Sequence, residues 1–103
     1  MKTLPDNCID LIIADPPYYK ICGEFDFIWK TQKEYLEWCK QWILECKRIL
    51  KSTGSFYLWG AIGYNNGYSL FKLADWIENN KLFMVINWIT QRNTRWLNLK
   101  IIY

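Results

Sequence analysis

A chain of 103 residues that is 51% hydrophobic, with seven Trp and seven Tyr, carries too much apolar surface to stay disordered and suits one small domain or part of a larger one. It has no histidine, which removes the commonest general base, and Cys8, Cys22, Cys39 and Cys46 form no Cys-x-x-Cys pair, so a zinc site is not expected. The net charge of +3 resides in Arg92, Arg95 and Lys100, since the basic and acidic side chains before residue 91 balance.

No apolar run reaches the roughly 18 residues that span a bilayer. Met1-Lys-Thr-Leu-Pro-Asp lacks the apolar stretch of a signal peptide, so the expected location is the cytoplasm. In chain order, Ile9 to Ala14 is a short apolar run with β-branched residues and predicts a buried strand. It runs straight into Asp15, Pro16, Pro17, Tyr18 and Tyr19, and a loop follows to Lys30. Thr31 starts a helix, with Glu34 three residues later in capping-box spacing. Tyr35, Cys39, Trp42, Ile43, Cys46, Ile49 and Leu50 form its apolar stripe, and Leu44 falls on the polar side. Trp38 and Trp42 read as core, and Cys39 and Cys46 as small core residues on one face. Gly54 marks the passage from helix to strand, and Ser55 to Trp59 is the second strand. Gly60 and Gly63 open the next loop, Ser69 to Asn79 predicts a second helix, and Leu82 to Ile89 a third strand. Residues 1–90 read as one domain; residues 91–103 read as a basic tail without an assignment, in which a solvated surface is the simplest role for the charges.

Strand, helix, strand, helix, strand is the pattern of a parallel α/β sheet with helices on its faces. Ligands bind such sheets beyond the carboxyl ends of the strands. Asp15 to Tyr19 and Gly60 to Asn66 both lie at that rim. The residue types there suit one chemistry. An exocyclic amine on a nucleobase is a poor nucleophile, because its lone pair is delocalised into the ring. Hydrogen bonds accepted from both amine hydrogens return electron density to nitrogen. The Asp15 carboxylate can accept one and the Pro16 carbonyl the other, held in direction by the constrained Pro16-Pro17 backbone. Tyr18 offers a ring on which an extruded base can stack, worth about 1–3 kcal/mol. That is comparable with the few kcal/mol needed to flip a base from its duplex. The bland alternatives are a turn acid, two strand-ending prolines and a packed ring. Tyr19, Phe25, Phe27 and Trp29 read as loop packing.

Asp15-Pro16-Pro17-Tyr18, entered through "LPDNCIDLIIA", resembles the catalytic motif of the DNA amino-methyltransferases that methylate adenine or cytosine amines. "FDFIWKTQKEYLEWCKQWILECKRILKSTGSFYLWG" is similar to that family's helix and strand after the motif, and "LFMVINWIT" to its next strand. The resemblance covers roughly residues 3 to 90. It implies a Rossmann-like α/β methyltransferase fold, S-adenosylmethionine as cofactor and DNA as partner. An acid at position 15 resembles the adenine-specific branch, with the motif preceding the cofactor half in chain order. By resemblance, Asp15, Pro16, Pro17 and Tyr18 are catalytic, Tyr18 meets the base, and Asp15, Trp59 and Gly60 are candidate cofactor contacts. Arg92 and Arg95 are candidate phosphate contacts. The family's glycine-rich F-x-G-x-G segment has no counterpart here, and Gly60-Ala-Ile-Gly63 does not replace it. The chain therefore reads as a truncated catalytic half, inactive alone, whose partners include a cofactor-binding half or a cognate restriction nuclease. Two other readings stay open: an RNA base methyltransferase, and a non-catalytic remnant that binds nucleic acid weakly.

Overall fold

The computed structural model describes residues 1–20, 28–62, 67–92 and 97–102. They form β1 (Ile9–Ala14), α1 (Gln32–Ile49), β2 (Leu50–Ile62), α2 (Ser69–Asn79), β3 (Asn87–Arg92) and β4 (Leu97–Ile102). The four strands make one sheet in the order β1-β2-β4-β3. β1 and β2 are parallel, joined through α1, while β4 runs antiparallel to both β2 and β3.

α1 begins where its capping residues say it should. Thr31 is extended and its hydroxyl accepts from the Glu34 amide. Glu34 reaches back one residue further than in a standard box, and its carboxylate accepts from the Lys30 amide at 3.1 Å. Tyr35, Cys39, Ile43, Cys46 and Ile49 recur every three or four residues and all are buried. Leu44 is exposed, as its off-stripe position requires. Trp38 departs from expectation: it is 37% exposed, because it flanks the buried stripe instead of lying in it. The helix then runs directly into β2 at Leu50, with no glycine at the junction. Gly54 lies inside the strand instead. A side chain there would meet the Asp10 carbonyl at 2.9 Å, where the β1–β2 register slips, so the residue permits close strand approach.

The register places Ile12 beside Phe56 and Ala14 beside Leu58 on one face of the sheet. Both helices cover that face, since Tyr35, Cys39 and Ile43 of α1 and Leu70, Leu73 and Ile77 of α2 share a core with Phe56 and Leu58. Helices on both faces were the expectation, and this is its correction. The opposite face is open: Leu11 is 51% and Ile13 60% exposed. β1 is an edge strand, as is β3.

The third strand is displaced from its expected position. Leu82, Phe83 and Val85 pack against the core without strand structure, Phe83 lying 4.9 Å from Phe56 between ring centroids, and β3 starts at Asn87. An apolar run of this length signals burial, which irregular backbone supplies as well as a strand does. Leu97 to Ile102, left unassigned above, form β4 between β2 and β3. Among the described residues no helix is long and apolar enough to cross a membrane.

Burial drives the thiols of Cys39 and Cys46 up from an ordinary 9.0 to about 12 and about 11. Both therefore stay neutral in the folded chain where the unfolded chain would ionise. Their contribution to stability is complete below pH 9 and is lost progressively as pH rises toward the folded values. The thermal midpoint is expected to fall across that interval. Cys39→Ala, which removes the larger shift, should flatten the fall relative to its own midpoint at pH 8. An equally steep fall in the variant would assign the alkaline loss to other groups.

Candidate functional site

β1 ends at Ala14, and the next four residues stand at its carboxyl end, beside the first turn of α1 and the turn that opens α2. Two hydrogen bonds shape them. The Tyr18 hydroxyl donates to the Asp15 carboxylate at 2.6 Å, which closes the four-residue motif on itself. The Tyr35 hydroxyl donates to the Pro17 carbonyl at 2.8 Å, which fastens the motif to α1. Tyr35 is itself held on two sides, stacked on Tyr19 at 5.5 Å and edge-on to Trp29 at 4.9 Å. Tyr19 is buried and Trp29 packs against the core, so both serve as loop packing, as expected. Phe25 and Phe27 lie outside the described residues.

The second wall of the rim is fastened to the same helix. The Gln32 amide donates to the Gly67 carbonyl at 2.9 Å and to the Ser69 hydroxyl at 3.1 Å, and its oxygen accepts from Lys72 at 2.6 Å. Gly67 has φ of 62°, and a side chain on it would lie 2.5 Å from that amide nitrogen. One turn of α1 thus sets both the motif and the entry to α2. Neither Gln32 nor Tyr35 was singled out in the sequence for this role. Their partners lie 18 to 40 residues away, and no local pattern reports such pairing.

Asp15 is exposed, and Pro16, Pro17 and Tyr18 are half-buried. Asp15 and Pro16 form one side of an open cleft of about 280 Å³ whose other side is Trp38 and Trp42 of α1. Trp59 and Gly60 are also brought beside Pro16 and Tyr18, but around a cavity of about 10 Å³, room for about one water. β2 continues to Ile62, so neither residue opens a loop, and Gly60 faces the core: a side chain there would lie 2.7 Å from Leu70. Arg92 closes β3, and Arg95 lies outside the described residues. The arrangement presents a carboxylate, a constrained dipeptide and an aromatic ring to solvent at one strand end. Such a group can accept hydrogen bonds from a planar amine and stack its ring.

Comparison with known proteins bears on these residues. The sequence pattern of the family described as DNA methylase matches residues 9–100. The type II methyltransferase M.HinfI of Haemophilus influenzae is 38% identical over 104 aligned positions, covering 84% of this chain and 29% of that protein. The DNA adenine methyltransferase YhdJ of Escherichia coli strain K12 is 42% identical over 60 positions, covering 56% of this chain and 20% of its own length. In fold, the PvuII DNA methyltransferase (cytosine-N4-specific) superposes with a TM-score of 0.75 at 17% identity, over 98% of this chain and 44% of that one. The chain thus spans less than a third of the curated relatives cited.

Proposed function

Because this chain belongs to the DNA methylase family, we propose that it carries the amine-holding site of an adenine-specific DNA methyltransferase of a restriction-modification system. The observation that carries this is the Asp15-Pro16-Pro17-Tyr18 motif, standing at the carboxyl end of β1 with its carboxylate exposed. The adenine reading rests on the acid at position 15 and on the likeness to a relative named as an adenine methyltransferase.

In this reading a flipped adenine enters the rim with its ring against Tyr18. The Asp15 carboxylate accepts one hydrogen of the N6 amine and the Pro16 carbonyl accepts the other. Both bonds strengthen as nitrogen gains positive charge, so they favour the transition state over the bound base. Asp15 is also the carboxylate placed to receive the proton that nitrogen sheds. The Tyr18 hydroxyl already occupies one lone pair of Asp15. A carboxylate has about four such sites, so the amine can share the group or displace the hydroxyl.

S-adenosylmethionine is the methyl donor that this chemistry requires, since it offers carbon bound to a sulfonium leaving group. The described residues do not fit it alone: the cavity at Trp59 and Gly60 is about 10 Å³, and the cleft at Asp15 has walls on two sides only. The donor is therefore held mainly by other parts of the enzyme. DNA is the partner, and a cognate nuclease would share its recognition sequence. The cytoplasm is the compartment where such an enzyme meets its DNA.

The test uses the chain completed with the parts of M.HinfI that lie outside the match, incubated with DNA and labelled donor and digested to nucleosides. N6-methyldeoxyadenosine is the expected product. N4-methyldeoxycytidine would refute the adenine reading, and label in RNA but not DNA would refute both. In the same enzyme, Tyr18→Phe is expected to keep turnover within several-fold, whereas Tyr18→Ala loses it severely, because stacking needs the ring. Equal damage by the two variants would make the hydroxyl, through its bond to Asp15, the working group.

A further inference from the structure

We infer that Tyr35 is a positioning residue for the reacting amine, acting through the Pro17 carbonyl; the inference rests on the reading of Asp15 and Pro16 as amine acceptors. The peptide planes on either side of Pro17 are rigid, and its ring locks φ near −65°, so one soft torsion remains between them. The Tyr35 hydroxyl, 2.8 Å from the Pro17 carbonyl, ties the second plane to α1. The first plane, which carries the Pro16 carbonyl, is then joined to an anchored plane through a single soft torsion, so its range of orientations is narrowed. The second plane also delivers Tyr18, whose hydroxyl holds Asp15 at 2.6 Å. One phenol thus restrains both acceptors relative to α1.

The anchor is stiff enough for the task. Tyr35 is 4% exposed, sits in the first turns of α1, and its ring is wedged between Tyr19 and Trp29. Burial of the ring accounts for the fold; it does not require the hydroxyl to point at the motif. The two roles are therefore separable by Tyr35→Phe, which keeps the ring and removes the bond to the Pro17 carbonyl.

The experiment labels the proline carbonyls and aspartate carboxyls of this chain with ¹³C and compares wild type with Tyr35→Phe. Both the Pro17 carbonyl and the Asp15 carboxyl resonances are expected to move, while the thermal midpoint changes little. In the completed enzyme, the same variant should lower kcat about tenfold, the scale of one lost hydrogen bond, and leave the KM for DNA unchanged. A shift confined to Pro17, no shift at all, or an unchanged kcat would overturn the positioning role. If wild-type completed enzyme moved no methyl group, the functional reading would fail and the positioning role with it. An active wild type whose kcat Tyr35→Phe leaves unchanged would refute the positioning role alone.

Discussion

In a completed enzyme, Asp15→Ala lowers turnover by roughly 10²–10³-fold or more, the scale of removing one preorganised polar group from a transition state. Donor affinity is expected to change much less, because in the proposed reading the carboxylate acts on the amine. Asp15 stands exposed at the strand end, directly before the constrained Pro16-Pro17 backbone, so in the proposed reading its removal takes away one of the two acceptors. Single-turnover transfer of labelled methyl groups separates this from an effect on DNA binding. Turnover within a few-fold of wild type would remove Asp15 from the chemistry.

The second large effect is the inactivity of the 103-residue chain by itself. β1 is an edge strand whose own Leu11 and Ile13 are exposed, and the cleft at Asp15 is walled by only Trp38 and Trp42 across from the motif. In the proposed reading, the donor's methyl group must be held in line with the amine from beyond this open cleft. Alignment of that kind accounts for about 7–11 kcal/mol of barrier lowering. The isolated chain is expected to show no donor binding by calorimetry and no methyl transfer above background. Adding the parts of M.HinfI outside the match, as a second chain, should restore transfer by pairing the β1 edge. Robust transfer by the purified 103-mer alone would contradict this account.

Much of the fold was legible because its signals are periodic. β1 and α2 have the expected boundaries, and the helix expected from Thr31 onward begins with that residue as its cap. The faults lie where period and burial diverge. The run from Leu82 is apolar because it packs on Phe56, and burial alone does not make a strand. β4 did carry a signal, since Leu97-Asn98-Leu99-Lys100-Ile101 alternates apolar and polar residues. The three basic residues nearby made it read as a tail. Both helices on one face could not be foreseen, because the side of a crossover is a property of the whole sheet.

The site was legible as a motif and illegible as a mechanism. Asp15 to Tyr18 are adjacent, so their types alone disclosed an acceptor, a stiff carbonyl and a ring. Their bracing comes from Tyr35, which a periodic stripe marks only as core. Trp38 was misjudged for a related reason: a tryptophan beside a stripe reads as part of it until the neighbouring surface is known. Trp59 and Gly60 are brought beside the motif, around a cavity of about 10 Å³.

The most direct test is a crystal structure of the completed enzyme with duplex DNA bearing its recognition sequence and a non-reactive donor analogue. The account predicts an adenine turned out of the helix, its ring over Tyr18. Its N6 nitrogen should lie about 2.7–3.2 Å from both the Asp15 carboxylate and the Pro16 carbonyl. A target base that reaches the rim with its amine directed away from Asp15 would contradict it.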